Sequence, residues 1–241
     1  MSADNGPRPL PGPGTIGVVA AYNARYTVFT ESLMGTMYPP GTQCHFSTGL
    51  DVVDNCERLA SEFNGEWLWM LGDDHTWEPD LLLALLAHEV DIVVPLVTSK
   101  AWPFRPVVFE HEVAGSSHKY RSLQLTGRSG LVPVAAAGTA GMLIRRRVFE
   151  RLEQPYFTLP FGSMQKLSED VFFCRQAREA GFDIHCDLDR SMGHIGPCQV
   201  SAERDEHGEW VWKFAFGSGG FYERIPDAMA NPEGRSRILV P

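Results

Sequence analysis

The chain has 241 residues, of which 44% are hydrophobic and 21% charged, which suits a folded α/β protein with a sizeable core and excludes a disordered or fibrous one. Its net charge of −9 argues against a surface-wide grip on nucleic acid, because phosphate contacts need Lys and Arg. No apolar run approaches the roughly 20 residues that span a bilayer. The five cysteines form no Cys-x-x-Cys pair, so structural zinc is not expected, and the odd count fits a cytoplasmic protein.

The opening "MSADNGPRPLPGPG" is rich in Pro and Gly, lacks an apolar stretch and reads as a flexible tail over residues 1–14, not a signal peptide. "TIGVVAAY" (15–22) is a buried strand. A helix-like stretch around "YTVFTESLMGTM" follows, then "QCHFST" as a second strand. Val52, Val53, Cys56, Leu59, Ala60 and Phe63 fall at helical spacing. "EWLWMLG" is the third strand, "EPDLLLALLAH" a helix opened by Pro and acids, and "DIVVPLV" the fourth strand. Strand–helix alternation with short loops predicts a mostly parallel sheet flanked by helices.

The second half reads differently. "FRPVVFEHE" and "KYRSLQL" predict antiparallel strands about the loop "VAGSS". "VPVAAAGTAGMLIRRRVFERL" mixes a strand, a glycine-rich bend and a helix start, and Arg145 to Arg147 read as a solvated helix face. "SEDVFFCRQAREAG" is a helix with Ser168 as N-cap, acids in its first turn and Gly181 past its end. "FDIHCDLD" alternates as a half-buried strand, with His185 a plain strand residue. Beyond residue 199 only "GEWVWKFAF" reads as a strand.

The stretch "WLWMLGDDHTWEPDLL" poses the functional question. It ends a water-avoiding run on Asp73, Asp74 and His75. Adjacent carboxylates repel, and burying them is costly. A cation offsets that repulsion, and in parallel sheets ligands bind beyond the carboxyl ends of the strands.

Five segments together resemble the family-2-like glycosyltransferases of the GT-A fold: "TIGVVAAYN", "LGDDHTWEPDLL", "AAGTAGMLIRRRVFERL", "SEDVFFCRQAREAGFDI" and "MGHIG". The resemblance covers roughly residues 15–197. It implies a Rossmann-like, mostly parallel sheet with a small antiparallel subregion on the acceptor side. The domains expected are the tail, a glycosyltransferase domain over 15–198 and a C-terminal extension over 199–241 packed on it. The implied activity is metal-dependent transfer of a sugar from a nucleotide-sugar donor to an acceptor hydroxyl.

The same resemblance implies residue roles. The family's acidic turn is a D-x-D motif. In one register Asp74 is its last, metal-binding Asp, and Gly72 stands where the first is expected, a departure. In a second register Asp73-Asp74-His75 reads as D-x-H, with His75 the ligand. His194 resembles the family's late metal-binding His. The cation expected is Mn²⁺ or Mg²⁺, which suits carboxylates and stabilises a departing diphosphate. Asp170, with Glu169 beside it, matches the base that deprotonates the acceptor. Two acids complementing a helix N-terminus explain the same letters. Ala21, Tyr22, Asn23, Asn55 and Asp73 match nucleotide-contacting positions, and Gly138 and Gly141 allow close approach to the donor sugar. Lys100, Trp102 and Arg105 are candidates for the acceptor.

The donor expected first is a UDP-sugar, and the acceptor a saccharide or protein. Hydroxymethylated DNA is the alternative, since His118, Lys119, Tyr120, Arg121 and Arg128 interleave bases with an aromatic. Gly72 also motivates a binding-only relative without turnover. A nucleotidyltransferase needs a glycine-rich, basic phosphate loop after its first strand, and "AAYNARYT" has no glycine.

Overall fold

The computed structural model of the chain describes residues 11–20, 25–113, 120–159, 168–216 and 219–224. In chain order the first half gives β1 (Thr15–Ala20), α1 (Thr27–Gly35), β2 (Gln43–Thr48), α2 (Val52–Glu62), β3 (Trp67–Gly72), β4 (His75–Thr76), α3 (Leu81–Leu86) and β5 (Ile92–Val97). The second half gives β6 (Val108–Glu112), β7 (Tyr120–Ser122), β8 (Leu131–Val134), β9 (Ala136–Ala137), β10 (Met142–Arg145), α4 (Arg146–Arg151), α5 (Glu169–Glu179) and β11 (Ile184–His194). A last group follows: β12 (Gln199–Arg204), β13 (Trp210–Phe216) and β14 (Gly219–Arg224).

Among the described residues an eight-stranded sheet has the order β2-β1-β3-β10-β5-β11-β4, with β8 also paired to β11. β1 runs parallel to β2 and β3, and β5 parallel to β11. β10 is inserted antiparallel between β3 and β5, so those two run the same way. Five strands therefore share one direction, and the sheet is mostly parallel, as the alternation predicts.

Both faces of the sheet are covered, which explains why β3 has no polar face. Leu68 and Met70 join Cys56, Leu59, Phe173 and Cys174 on one side. Trp67, Trp69 and Leu71 join Phe29, Trp77 and Leu81 on the other. There Trp77 lies edge-on to Trp69 at 5.5 Å and to Phe29 at 5.7 Å, an arrangement favoured by the ring quadrupoles.

α2 starts at Asp51, whose side chain accepts from the Asp54 N–H at 2.9 Å. Ser168 holds the N-cap position of α5 but makes no capping hydrogen bond; its hydroxyl donates instead to Asp170 Oδ1. The predicted antiparallel pair is present as β6 and β7, while residues 114–119, which include His118 and Lys119, lie outside the described residues, as do residues 1–10. Residues 12–14, expected in the tail, are tied down. Gly12 O accepts from Trp67 Nε1, Pro13 O from Glu66 N, and Gly14 O from Gln43 N.

The chain divides into two compact units. One comprises residues 1–98 and 106–195 and holds the large sheet; the other comprises residues 99–105 and 196–241. The second unit contains a three-stranded antiparallel sheet, β12-β13-β14, where the sequence suggested one strand. Trp102 there lies edge-on to Phe104 at 5.6 Å and 5.9 Å from Phe221. Among the described residues no helix is long and apolar enough to cross a membrane.

Candidate active site

β3 ends at Gly72, and Asp73 and Asp74 make the two-residue turn into β4. β4 is only His75 and Thr76, and it pairs antiparallel with the end of β11, His75 opposite His194 and Thr76 opposite Gly193. β11 is longer than its sequence pattern suggests. It shifts register between Asp187 and Ser191 and then resumes beside β5 through Met192. His194, expected beyond the strand, is therefore its last residue. Ile195 N–H donates to the Asp74 carbonyl at 2.8 Å, closing the turn onto the strand.

This pairing brings three ligand-type side chains together. The imidazoles of His75 and His194 stack with centroids 4.2 Å apart and planes 25° from parallel. Asp74 reaches both rings at their edges, with Oδ1 2.9 Å from His75 Nδ1 and Oδ2 3.3 Å from His194 Nε2. One donor atom from each residue falls within 4.8 Å of the others. His194 Nδ1 donates to the Thr98 carbonyl at 2.8 Å. A carbonyl only accepts, so Nδ1 carries a hydrogen, and Nε2 is the ring atom that faces Asp74.

His75 has the surroundings of a cation ligand. It is 4% exposed. Both of its ring nitrogens are buried, and neither makes a well-aligned hydrogen bond among the described residues. The 2.9 Å approach of Nδ1 to Asp74 is close enough for a charge contact but poorly directed. Buried imidazole nitrogens normally find partners. A carboxylate and two imidazoles around such atoms form a donor set for a divalent cation.

Asp73 is placed elsewhere. Its carboxylate meets Arg25 at 3.3 Å, and it is not part of the three-residue group. Gly72 is explained by crowding. A Cβ at this position would lie 2.9 Å from His75 Nδ1 and 3.2 Å from Asp74 Oδ1, so the space a first carboxylate would use is occupied by His75.

Asp170 opens α5 and shares a pocket of about 160 Å³ with His75, His194, Gly138, Thr139 and Ala140. Asp170 Oδ1 accepts from the Val171 N–H at 2.7 Å and from the Ser168 hydroxyl. Burial nevertheless pushes its carboxyl above the ordinary carboxylate range, with those hydrogen bonds opposing the shift. Glu169 is also raised, first by burial and then by the Asp170 charge, but it does not line this pocket. A Cβ on Gly138 would sit 3.5 Å from Asp170 Oδ2, so glycine keeps the approach to that oxygen open. Gly141 serves the scaffold. At φ +76° its carbonyl accepts from Trp69 Nε1 at 3.0 Å, and its N–H donates to Met70 O at 2.8 Å.

Asn55 is buried and fully engaged by the fold. Its Oδ1 accepts from the Ser47 hydroxyl at 2.8 Å, and its Nδ2 donates to Leu50 O at 2.9 Å. Ala21, Tyr22 and Asn23 lie outside the described residues. Lys100, Trp102 and Arg105 belong to the second compact unit. Arg25 and Thr98 are absent from the sequence reading. Arg25 stands just after the predicted strand end, a usable signal. Thr98 acts through its carbonyl, which no side-chain pattern reveals.

A wider cleft of about 850 Å³ lies at the opposite, amino end of β3, beside Glu66 and Arg145 to Arg147. Its guanidiniums are committed to the fold. Arg146 donates to the Gly65 and Phe63 carbonyls, and Arg147 to Asp91. Its carboxylates, Glu66, Glu89 and Glu150, are not gathered into a group of metal ligands among the described residues.

Residues 40–212 match the family described as glycosyltransferase like family 2. The chain belongs to this family-2-like group of glycosyltransferases. As a family-2-like glycosyltransferase it has the GT-A fold, a mostly parallel sheet flanked by helices with small antiparallel sheets. Among solved structures, A197 from STIV is similar with a TM-score of 0.53 and 13% identity, covering 88% of this chain and 97% of that one. GalNAc-T7, solved with UDP, GalNAc and Mn²⁺, is similar with a TM-score of 0.50 and 12% identity, covering 76% of this chain and 44% of that one. This glycosyltransferase thus spans under half the length of GalNAc-T7. No curated protein matches its sequence significantly.

Proposed function

We propose that the protein is a divalent-cation-dependent enzyme that moves a sugar from a nucleotide-sugar, a UDP-sugar first among donors, to a hydroxyl of a saccharide or protein acceptor. The observation that carries this reading is the convergence of Asp74, His75 and His194, whose two histidines line one pocket with Asp170. Asp74, His75 and His194 are the residues to hold Mn²⁺ or Mg²⁺. When bound, such an ion supplies Lewis-acid stabilisation to the leaving diphosphate. That one solved relative in fold carries UDP, GalNAc and Mn²⁺ is in keeping with this choice.

The chain's own groups divide the remaining work. The pocket of about 160 Å³ is smaller than the roughly 300–1,000 Å³ typical of sites enclosing a whole drug-sized ligand. It suits one sugar ring, not an entire nucleotide-sugar. Backbone at Gly138 to Ala140 walls that ring without side-chain bulk. Asp170 takes the acceptor hydroxyl proton as the acceptor oxygen bonds to the anomeric carbon and the bond to the diphosphate oxygen breaks, its electron pair leaving with the diphosphate. Ser168 and the Val171 N–H hold the carboxylate in place, and its raised pKa makes it a better base than a solvated aspartate.

A binding-only relative is the less favoured reading, because His75 occupies the space that Gly72 leaves. DNA carrying hydroxymethylated pyrimidines ranks below saccharide and protein as acceptor. Of its described candidates Arg128 is held by Glu110 at 2.8 Å, leaving Arg121 as the exposed base. A donor screen reading free nucleotide, with Mn²⁺ and with chelator, tests the activity. Chelator-insensitive release, or no release from any nucleotide-sugar, overturns it. Salt-sensitive labelling of hydroxymethylcytosine DNA, and not of unmodified DNA, transfers the acceptor assignment to DNA. A cytoplasmic location belongs to the same proposal and is read by fractionation of expressing cells.

A further inference from the structure

The two edges of the large sheet are unequal. One ends on β4, two residues long, and on β8, four residues that include Pro133, both paired to β11, which together offer little backbone to another strand. The other is β2, six residues paired in unbroken register with β1, from Thr15↔Gln43 to Ala20↔Thr48. Among the described residues nothing pairs with its outer side. Alternation along a strand turns every second N–H and C=O outward, and an edge without protection recruits another strand. Natural edges are protected by Lys, inward charge, Pro or a bulge. "QCHFST" has none of these.

The flanks of β2 are built for company. Its pairing with β1 puts Cys44 and Phe46 on the face of Ile16 and Val18, and His45 and Ser47 on the face covered by α2. Cys44 is exposed, and Phe46 is 49% exposed. Tyr38, before the strand, and Leu50 and Val52, after it, are exposed as well. On the α2 side a groove of about 330 Å³ runs along the strand, between Cys44 to Ser47 and the helix residues Arg58, Leu59 and Glu62. Arg58 and Glu62 carry opposite charges one helical turn apart at 3.8 Å, both half-exposed or more.

We infer that β2 is the interface with a second copy of this chain, paired antiparallel about a two-fold axis so that the large sheet continues across both subunits. An outward backbone ladder calls for an extended strand as its occupant. The charges indicate which strand. An antiparallel mate carries its own α2 antiparallel beside the first. Arg58 and Glu62 line the groove beside Cys44 to Ser47, and an axis passing midway between them brings each Arg58 opposite the mate's Glu62. One positive and one negative group placed symmetrically about the centre are their own complement. The spacing also fits. α2 packs over both β1 and β2, so two such helices stand about two strand spacings apart, about 10 Å, which matches ordinary helix packing. On the other face Cys44 and Phe46 meet their counterparts.

Sedimentation equilibrium of the full chain across the micromolar range should give twice the 26.8 kDa of one chain. Arg58→Glu and Glu62→Arg, each alone, place like charges across the axis and should give monomers with unchanged far-ultraviolet circular dichroism. An equimolar mixture of the two restores both attractive contacts and should return to dimer, as should Arg58→Glu/Glu62→Arg. Phe46→Lys, a change on the strand itself that leaves Arg58 and Glu62 in place, should also give monomer. A wild-type chain that stays monomeric overturns the inference, including one whose β2 amides resist exchange because its own residues cover the edge. A dimer indifferent to Arg58→Glu and Phe46→Lys, or folded single variants that fail to pair with each other, overturns it equally.

Discussion

His75 and His194 stand opposite each other across the short β4–β11 pairing, rings stacked at 4.2 Å, with Asp74 reaching both. Neither histidine is placed by its own neighbours in sequence. The pairing holds them, so the cluster depends on the end of β11 staying in register.

Removing one of the three residues should remove the cation. Asp74→Ala, His75→Ala and His194→Ala should each lose Mn²⁺ binding by titration calorimetry by more than the roughly 10–100-fold that outer partners contribute. Metal-stimulated nucleotide release should disappear with it. If His75→Ala binds Mn²⁺ as well as the parent chain, the cluster holds the ion without it, and the buried ring serves packing alone.

Asp170→Asn should bind donor and metal normally yet lose about 10²–10⁴-fold in transfer, the usual range for a general base. Its pH behaviour has a definite sign. The folded carboxyl titrates above its ordinary value of 3.8 because of burial. A raised carboxyl contributes stability that is fully present below pH 3.8 and lost as pH rises through the folded pKa. The neutral amide escapes that loss. Asp170→Asn should therefore melt no lower than the parent at neutral pH, with the difference shrinking toward acid. A clear drop in melting temperature at neutral pH contradicts this, and points to the Ser168 and Val171 contacts as the larger effect.

Restoring the family's first carboxylate should harm this protein. Gly72→Asp drives a Cβ to 2.9 Å from His75 Nδ1, and overpacking of this kind typically costs about 1–3 kcal/mol. Thermal melts should show a lower midpoint, and Mn²⁺ affinity should fall. A variant with tighter binding and an unchanged melt shows that His75 yields without cost.

Gly141→Ala tests the scaffold beneath the site. At φ +76° its new Cβ falls 2.5 Å from Met192 Sδ and 2.6 Å from Pro95 Cγ. Met192 precedes Gly193 and His194 on β11, so displacement there propagates to the cluster. The variant should lose stability by about 1–3 kcal/mol or more in chemical denaturation and lose metal affinity together with it. Loss of stability with metal affinity intact separates the scaffold from the site.

Local pattern sufficed for much of this protein. The apolar runs of β1, β3 and β5, the helical spacing of α2 and the start signals of α5 lie within a few residues of one another, where propensity and periodicity act. Asp74, Asp170 and His194 were also legible, because an acid turn after a buried strand, an acidic helix start and a late His stand out in one dimension. Tertiary structure decided the rest. β10 enters antiparallel between β3 and β5 through hydrogen bonds that no local window contains. β4 is two residues long and exists only because β11 resumes after its irregularity at 188–190. That pairing makes His75 a companion of His194, and it turns Asp73 to Arg25 instead of to the cluster. It also explains Gly72, since what fills its space is His75, three residues onward, with Asp74 beside it. Sequence can nominate side chains with the right chemistry. Which of them share a few ångströms is settled by strand pairing between residues far apart in the chain, whose energy is realised only when the whole sheet forms.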